Sequence, residues 1–203
     1  MSILTQDQTK RITDRVMSLS KADECTVSIE GSRIGNIRFA RNAVSTAGLS
    51  DDTQIQVQVA FGKRQGTATI NEFDDKSLEK AVRRAEDLAR LAPENPEFMP
   101  AIAKTAYKPS ETFVQRTADI DPEFRAQAAA YAMEACRKKG LVSAGFFTDR
   151  STFETVANSN GVFGHQVATS LDFTCTVRTE DGRGSGWVKR SARVVATFDA
   201  REG

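Results

Sequence analysis

The 203-residue sequence predicts an α+β protein: a duplicated unit of one helix plus a four-stranded antiparallel sheet, with the helices packed on the sheet. Three observations predict it. Apolar residues recur at helical spacing in three stretches and alternate with polar residues in others. The order of helix and then four strands occurs twice. The two copies align without a gap at one offset of 116 residues, the separation of Thr53 and Thr169.

The first helix is announced by Thr5 with Gln8 three residues on, a capping-box spacing, followed by Ile12, Val16 and Leu19; it is expected from about Gln6 to Ser20. The β-branched stretches "CTVSIEG" and "IGNIRFARNAVST" follow, read as strands broken by Gly31 and Gly35. In "TQIQVQVAFG" Ile55, Val57, Val59 and Phe61 alternate with Gln54, Gln56, Gln58 and Ala60, the period of a strand with one buried face. Gly62 and Gly66 bracket a hairpin loop, and "TATI" is the returning strand. Asp75 is the expected N-cap of a helix to Ala92, packed through Leu78, Val82, Ala85 and Leu88 and stopped by Pro93. From there to Ile120 the pattern dissolves into a proline-rich connection. Asp121 and Pro122 open an alanine-rich helix ending near Gly140, and four strands follow, among them "TSLDFTCTVRT" and "GSGWVKRSARVVATF". The expected division is 1–93, a connection over 94–120, and 121–203. Because "TFDAREG" falls where "EFDDKSLEKAV" opens the helix of the first copy, the chain is expected to stop short of a further covering helix.

Composition removes several function classes. Lys plus Arg number 28 against 27 Asp plus Glu, and the basic residues are scattered, so direct nucleic-acid binding is not indicated. No apolar run approaches the ~20 residues of a membrane helix, and the N-terminus lacks a secretory layout, so a cytoplasmic location is expected. Cys25, Cys136 and Cys175 lie far apart and read as reduced, buried thiols.

The single histidine, His165, closes "NSNGVFGH". Under the offset this stretch lies on residues 42–49, which makes both stretches equivalent connections between strands; Asn160 and Gly161 are read as the positive-φ residues of a turn, and His165 as scaffold. "GRGSGW" runs from strand to strand and so reads as a hairpin rather than a phosphate loop. Trp187 is expected to pack against the sheet, and Asp172 and Glu154 sit where a solvated sheet face puts polar residues. No catalytic, cofactor-binding or metal-ligating residue is nominated.

The succession "RNAVSTAGLSDDTQIQVQVAFGKRQGTATINEFD", "SLEKAVRRAEDLARLAPENPEFMP", "VANSNGVFGHQVATSLDFTCTV" and "GRGSGW" resembles the N-terminal region of the TldD/PmbA family, bacterial proteins once described as modulators of DNA gyrase and regarded as metallopeptidases with paired non-catalytic subunits. The resemblance implies an N-terminal scaffold that helps enclose a peptide-binding cavity and pairs with a homologous subunit. It also implies that zinc, held in the family by an HExxxH helix and a later cysteine, belongs beyond these residues, so the chain alone is expected to bind no zinc and cleave no peptide. The segments "LARLAPENP" and "ANSNG" lean towards the PmbA type, whose subunits lack that helix. The alternative reading is a non-enzymatic assembly or peptide-binding module that uses a free sheet edge, such as one side of the hairpin Gln54 to Ile70.

Overall fold

The computed structural model describes residues 3–108 and 110–198. Its elements run α1 (Gln6–Leu19), β1 (Glu24–Ala40), β2 (Ala43–Phe61), β3 (Arg64–Ile70), α2 (Asp75–Leu91), a short α3 (Gln115–Ala118), α4 (Pro122–Lys138), β4 (Leu141–Asn158), β5 (Phe163–Thr179) and β6 (Ser185–Ala192). The six strands form one sheet in the order β3-β2-β1-β4-β5-β6. The α+β class and the antiparallel pairing hold, and the strand count differs from expectation. Helices α1 and α4 are each followed by three strands rather than four, and in the first set Gly31 and Gly35 do not interrupt β1. Their missing Cβ atoms make room for the Phe153 ring and the Arg125 guanidinium, so these glycines are sites of close approach inside a continuous strand.

Two compact units emerge, each drawn from three stretches of chain. One comprises Met1–Gly31, Asp52–Ser110 and Phe153–Gln166. There Thr5 caps α1 through a full capping box with Gln8. Asp74, not Asp75, caps α2, accepting from the backbone N–H groups of Lys76 (3.1 Å) and Ser77 (3.0 Å). The α2 helix buries Leu78, Ala81, Val82, Ala85 and Ala89, while Leu88, expected on that face, is 43% exposed. Helix α2 packs on β3 at Gly66, where an added Cβ would collide with the backbone of Ala85 and Ala89. Gly66 is therefore no loop residue; it pairs with Val59 inside the strand, and the turn is Gly62–Lys63 alone, with Gly62 at φ 56°.

Glu86 is the unexpected member of this core. Almost wholly buried, it accepts from the Lys21 N–H (2.6 Å) and from Arg83 (2.6 Å), whose other nitrogen donates to the Leu19 carbonyl at the end of α1 (2.6 Å). Arg83, held by Glu86, thus donates to a carbonyl at the helix end that the helix itself leaves unpaired.

The other unit comprises Ser32–Asp51, Glu111–Thr152 and the chain from Val167 onward. Its core gathers Ile37 and Phe39 of β1, Ala128, Ala129 and Met133 of α4, Phe147 of β4, and Leu171, Phe173 and Cys175 of β5. Asp121 caps α4 by accepting from Phe124 N–H (2.8 Å), with Pro122 opening the helix as expected. The stretch after Phe198, where a further helix threshold is expected from the sequence, lies outside the described residues.

Candidate functional site

The longest exposed stretch of strand follows a turn that the sequence does not advertise. Arg41 and Asn42 adopt φ of 52° and 56° between β1 and β2, a left-handed pair suited to a two-residue hairpin. Asn42 tolerates this because its side chain is fully used: its amide donates to the Leu141 carbonyl (2.7 Å), and its oxygen accepts from the Ser143 N–H (2.7 Å) and hydroxyl (2.6 Å). Arg137 donates to the Asn42 carbonyl. The start of β2 is thereby anchored to the junction of α4 and β4.

Beyond that anchor β2 is exposed at every residue from 43 to 52. Its pairing with β3 covers only Ile55 to Phe61, and among the described residues no other strand continues alongside residues 43–54 opposite β1. The corresponding stretch of β5 is treated differently. Where β6 ends, at the Leu171↔Ala192 pair, the connecting chain takes over: Thr169 N–H donates to the Thr112 carbonyl (3.0 Å), the Thr112 hydroxyl donates to Val167 O (2.7 Å), and Val114 N–H donates to the Thr169 hydroxyl (3.0 Å). One edge is covered by the chain itself and the other is bare.

An open groove of about 580 Å³ lies beside the bare edge, lined by Ala47, Gly48 and Leu49 of β2, Arg33 and Asn36 of β1, and Arg125 of α4. Arg125 is buried and ion-paired with Asp149 (2.7 Å), and the same nitrogen donates to the Ile120 carbonyl (3.3 Å). Burial pushes the Asp149 carboxyl above its ordinary range, against the opposing pull of Arg125. This pair is deep enough that its chemistry is structural; it holds α4 against β1 at Gly35 and β4.

The residues weighed in the sequence lie in separate places, and none of them is nominated there as a site. His165 Nδ1 lies 2.8 Å from the Thr155 hydroxyl and 3.3 Å from the Thr9 hydroxyl, beside the Phe153 ring, and burial lowers its pKa. Through these two hydroxyls it links α1 to β4. In its turn Gly161 has φ 86°, but Asn160 does not share the left-handed geometry expected of it. Asn158 shapes that turn instead, its oxygen accepting from the N–H groups of Asn160 and Val162, both at 3.0 Å. Trp187, expected to pack, is 66% exposed on β6. "GRGSGW" forms the strand-to-strand turn expected, with Gly182 at φ 71°. Asp172 accepts from Ser191 (2.5 Å) at the surface, and Glu154 is exposed.

Residues 25–89 match the family model of the PmbA/TldA metallopeptidase domain 1, and residues 71–199 match that of the PmbA/TldA metallopeptidase central domain. The chain belongs to the PmbA/TldD family. Solved structures share the fold: TldE from Thermococcus kodakarensis (TM-score 0.84, 15% identity, covering 95% of this chain and 44% of that one), a candidate modulator of DNA gyrase from Thermotoga maritima (0.84, 17%, 96% and 45%) and another from Bacteroides thetaiotaomicron (0.82, 16%, 98% and 48%). The chain spans less than half the length of these structures. No curated protein matches it.

The family name implies a metal, and the donors among the described residues of this PmbA/TldD chain do not gather to fit one. Among the described residues no three His, Cys, Asp or Glu side chains gather into a metal-holding group. Both the Cys25 and Cys175 thiols are pushed up to about 11 by burial, away from the thiolate a metal needs. His165 Nδ1 is engaged by hydroxyls.

Proposed function

We propose that this chain is the N-terminal scaffold of a PmbA/TldD-type protein, helping to enclose a peptide-binding cavity and pairing with a homologous subunit, with the active centre outside these residues. Membership of a metallopeptidase family, combined with a donor set unsuited to zinc, carries the reading. The two units are proposed to descend from one helix-plus-sheet ancestor. The helices α1 and α4 and the turn residues Asn42 and Asn158, whose side chains both wire a β-turn to neighbouring backbone, lie 116 positions apart, as Thr53 and Thr169 do. A cytoplasmic setting and unfolded peptide substrates belong to the same proposal.

The isolated chain is expected to bind labelled unfolded peptides without cleaving them and to purify without stoichiometric zinc. Peptide cleavage abolished by a chelator, or about one zinc per chain lost in His165→Ala, overturns the reading.

A second reading, a non-enzymatic assembly module, is favoured by the bare edge of β2, which offers backbone donors and acceptors without any catalytic group nearby. An HExxxH motif beyond residue 203 in the sequence of the parent protein supports the first reading, and its absence there supports the second.

A further inference from the structure

We infer that the bare edge of β2, residues 43–50, is a self-association surface that pairs antiparallel with the same edge of a second copy of this chain, extending the sheet across a two-fold axis. The inference rests on the subunit-pairing part of the proposed function and names the surface that performs it.

An uncovered strand edge is normally blunted by short length, lysine, proline or a covering loop. The other free edges follow that rule: β3 has seven residues, and β6 carries Lys189 and Arg190. The stretch "AVSTAGLS" from Ala43 to Ser50 has no charge and no proline, and it leaves Val44 and Leu49 about half exposed, at 49% and 57%. Position 48 shows that the surface does not arise from a local need for glycine. An added Cβ there would make only ordinary contact, 3.6 Å from the Asn36 amide, and its φ is not left-handed. The edge is anchored by the Asn42 side chain at one end, and the β2–β3 pairing begins beyond the other, at Ile55.

Charge argues for a copy of the same strand as the occupant. The stretch begins just after Arg41, with Arg38 exposed across the hairpin, and ends just short of Asp52. Antiparallel pairing of two copies sets the basic end of each beside the acidic end of the other, whereas an unrelated strand has no such match. Two-fold symmetry adds a constraint: a residue at position i must face a residue of the same parity, so that side chains keep to their own face. Pairing centred on Ala47 meets this condition, brings Ser45 opposite Leu49, and puts Arg41 near Asp52 and Thr53 of the other copy. A single strand pair is small for a stable interface, so a weak, concentration-dependent dimer is expected.

The test is sedimentation velocity on the 203-residue chain over a concentration series. A reversible dimer is expected, weakened at least tenfold by Ala47→Lys or Gly48→Lys, both at exposed positions with room for a side chain. Arg41→Glu or Asp52→Lys alone is expected to weaken it and the double charge swap to restore it. Single cysteines placed at 45, 46, 47, 48 and 49 are expected to cross-link on oxidation most readily at the residue on the axis. A chain that stays monomeric, or a dimer indifferent to both lysine variants, overturns the inference. If those lysine variants still bind a homologous PmbA/TldD subunit unchanged, the edge assignment fails while the proposed pairing function stands; if the wild-type chain binds no such subunit either, the pairing function fails with it.

Discussion

At the residue scale the chain relies on buried polar groups that each have a named partner. Arg125 and Asp149 are the clearest pair, because neither can shed its charge without leaving the other uncompensated beside Gly35. Arg125→Met is expected to cost about 3–5 kcal/mol in urea unfolding, whereas Arg125→Met with Asp149→Leu should recover much of that loss, since an apolar pair leaves no buried charge. His165 gives a pH signature. Its folded-state pKa lies below the ordinary imidazole value, so the folded chain prefers the neutral ring. The associated stability is present above the ordinary value and is lost as pH falls through the lowered one. His165→Gln should flatten stability between pH 7 and the acid side of that window, and an unchanged slope by thermal denaturation would show that His165 does not sense burial. The reading of His165 as scaffold rests on the proposed repeat, in which Leu49 stands at the matching place 116 residues earlier. Asn158's control of its turn was not legible in the sequence, since Asn-Gly two residues later is the stronger textual signal for a left-handed residue.

Among the elements, helices were read closely and strands were not. The capping residues Thr5 and Asp121 are chemically explicit, and α1 and α4 begin where they direct. Glycine misled the strand reading: alone in a strand, it marks either a break or a close approach, and only the neighbouring side chain decides which. At Gly66 that neighbour is the α2 backbone. Gly66→Ala should therefore lift α2 from β3 and destabilise by 3 kcal/mol or about that, at the upper end of overpacking costs, while Gly48→Ala should stay within about 0.5 kcal/mol. Equal effects in a thermal melt would contradict the packing described for β3. The burial of Glu86 escaped notice for a similar reason, because helical periodicity counts apolar positions and a carboxylate that accepts from the chain just past a neighbouring helix has no period.

For the molecule as a whole, the α+β class and the antiparallel pairing were open to reading because alternation in 54–61 and 171–177 survives in both. The assembly of each unit from separated stretches was not, because no local pattern records which partner a strand continues towards. A fragment of residues 1–110 is accordingly expected to lack native packing. It misses the Phe153–Gln166 segment that supplies His165 to α1 and the Ser159 N–H to the Cys25 carbonyl (2.8 Å), and a dispersed native-like amide NMR spectrum from it would refute this. The same feature governs birth on the ribosome. The first helices and hairpin emerge early, yet the unit they belong to cannot close until Gln166 has been synthesised. At ~5–20 residues per second that leaves residues 1–91 waiting about 4–15 s with their apolar faces unfinished. During that interval the nascent chain is a client for whatever shields exposed strands, and slowing translation between Ala92 and Phe153 lengthens its exposure rather than helping it fold.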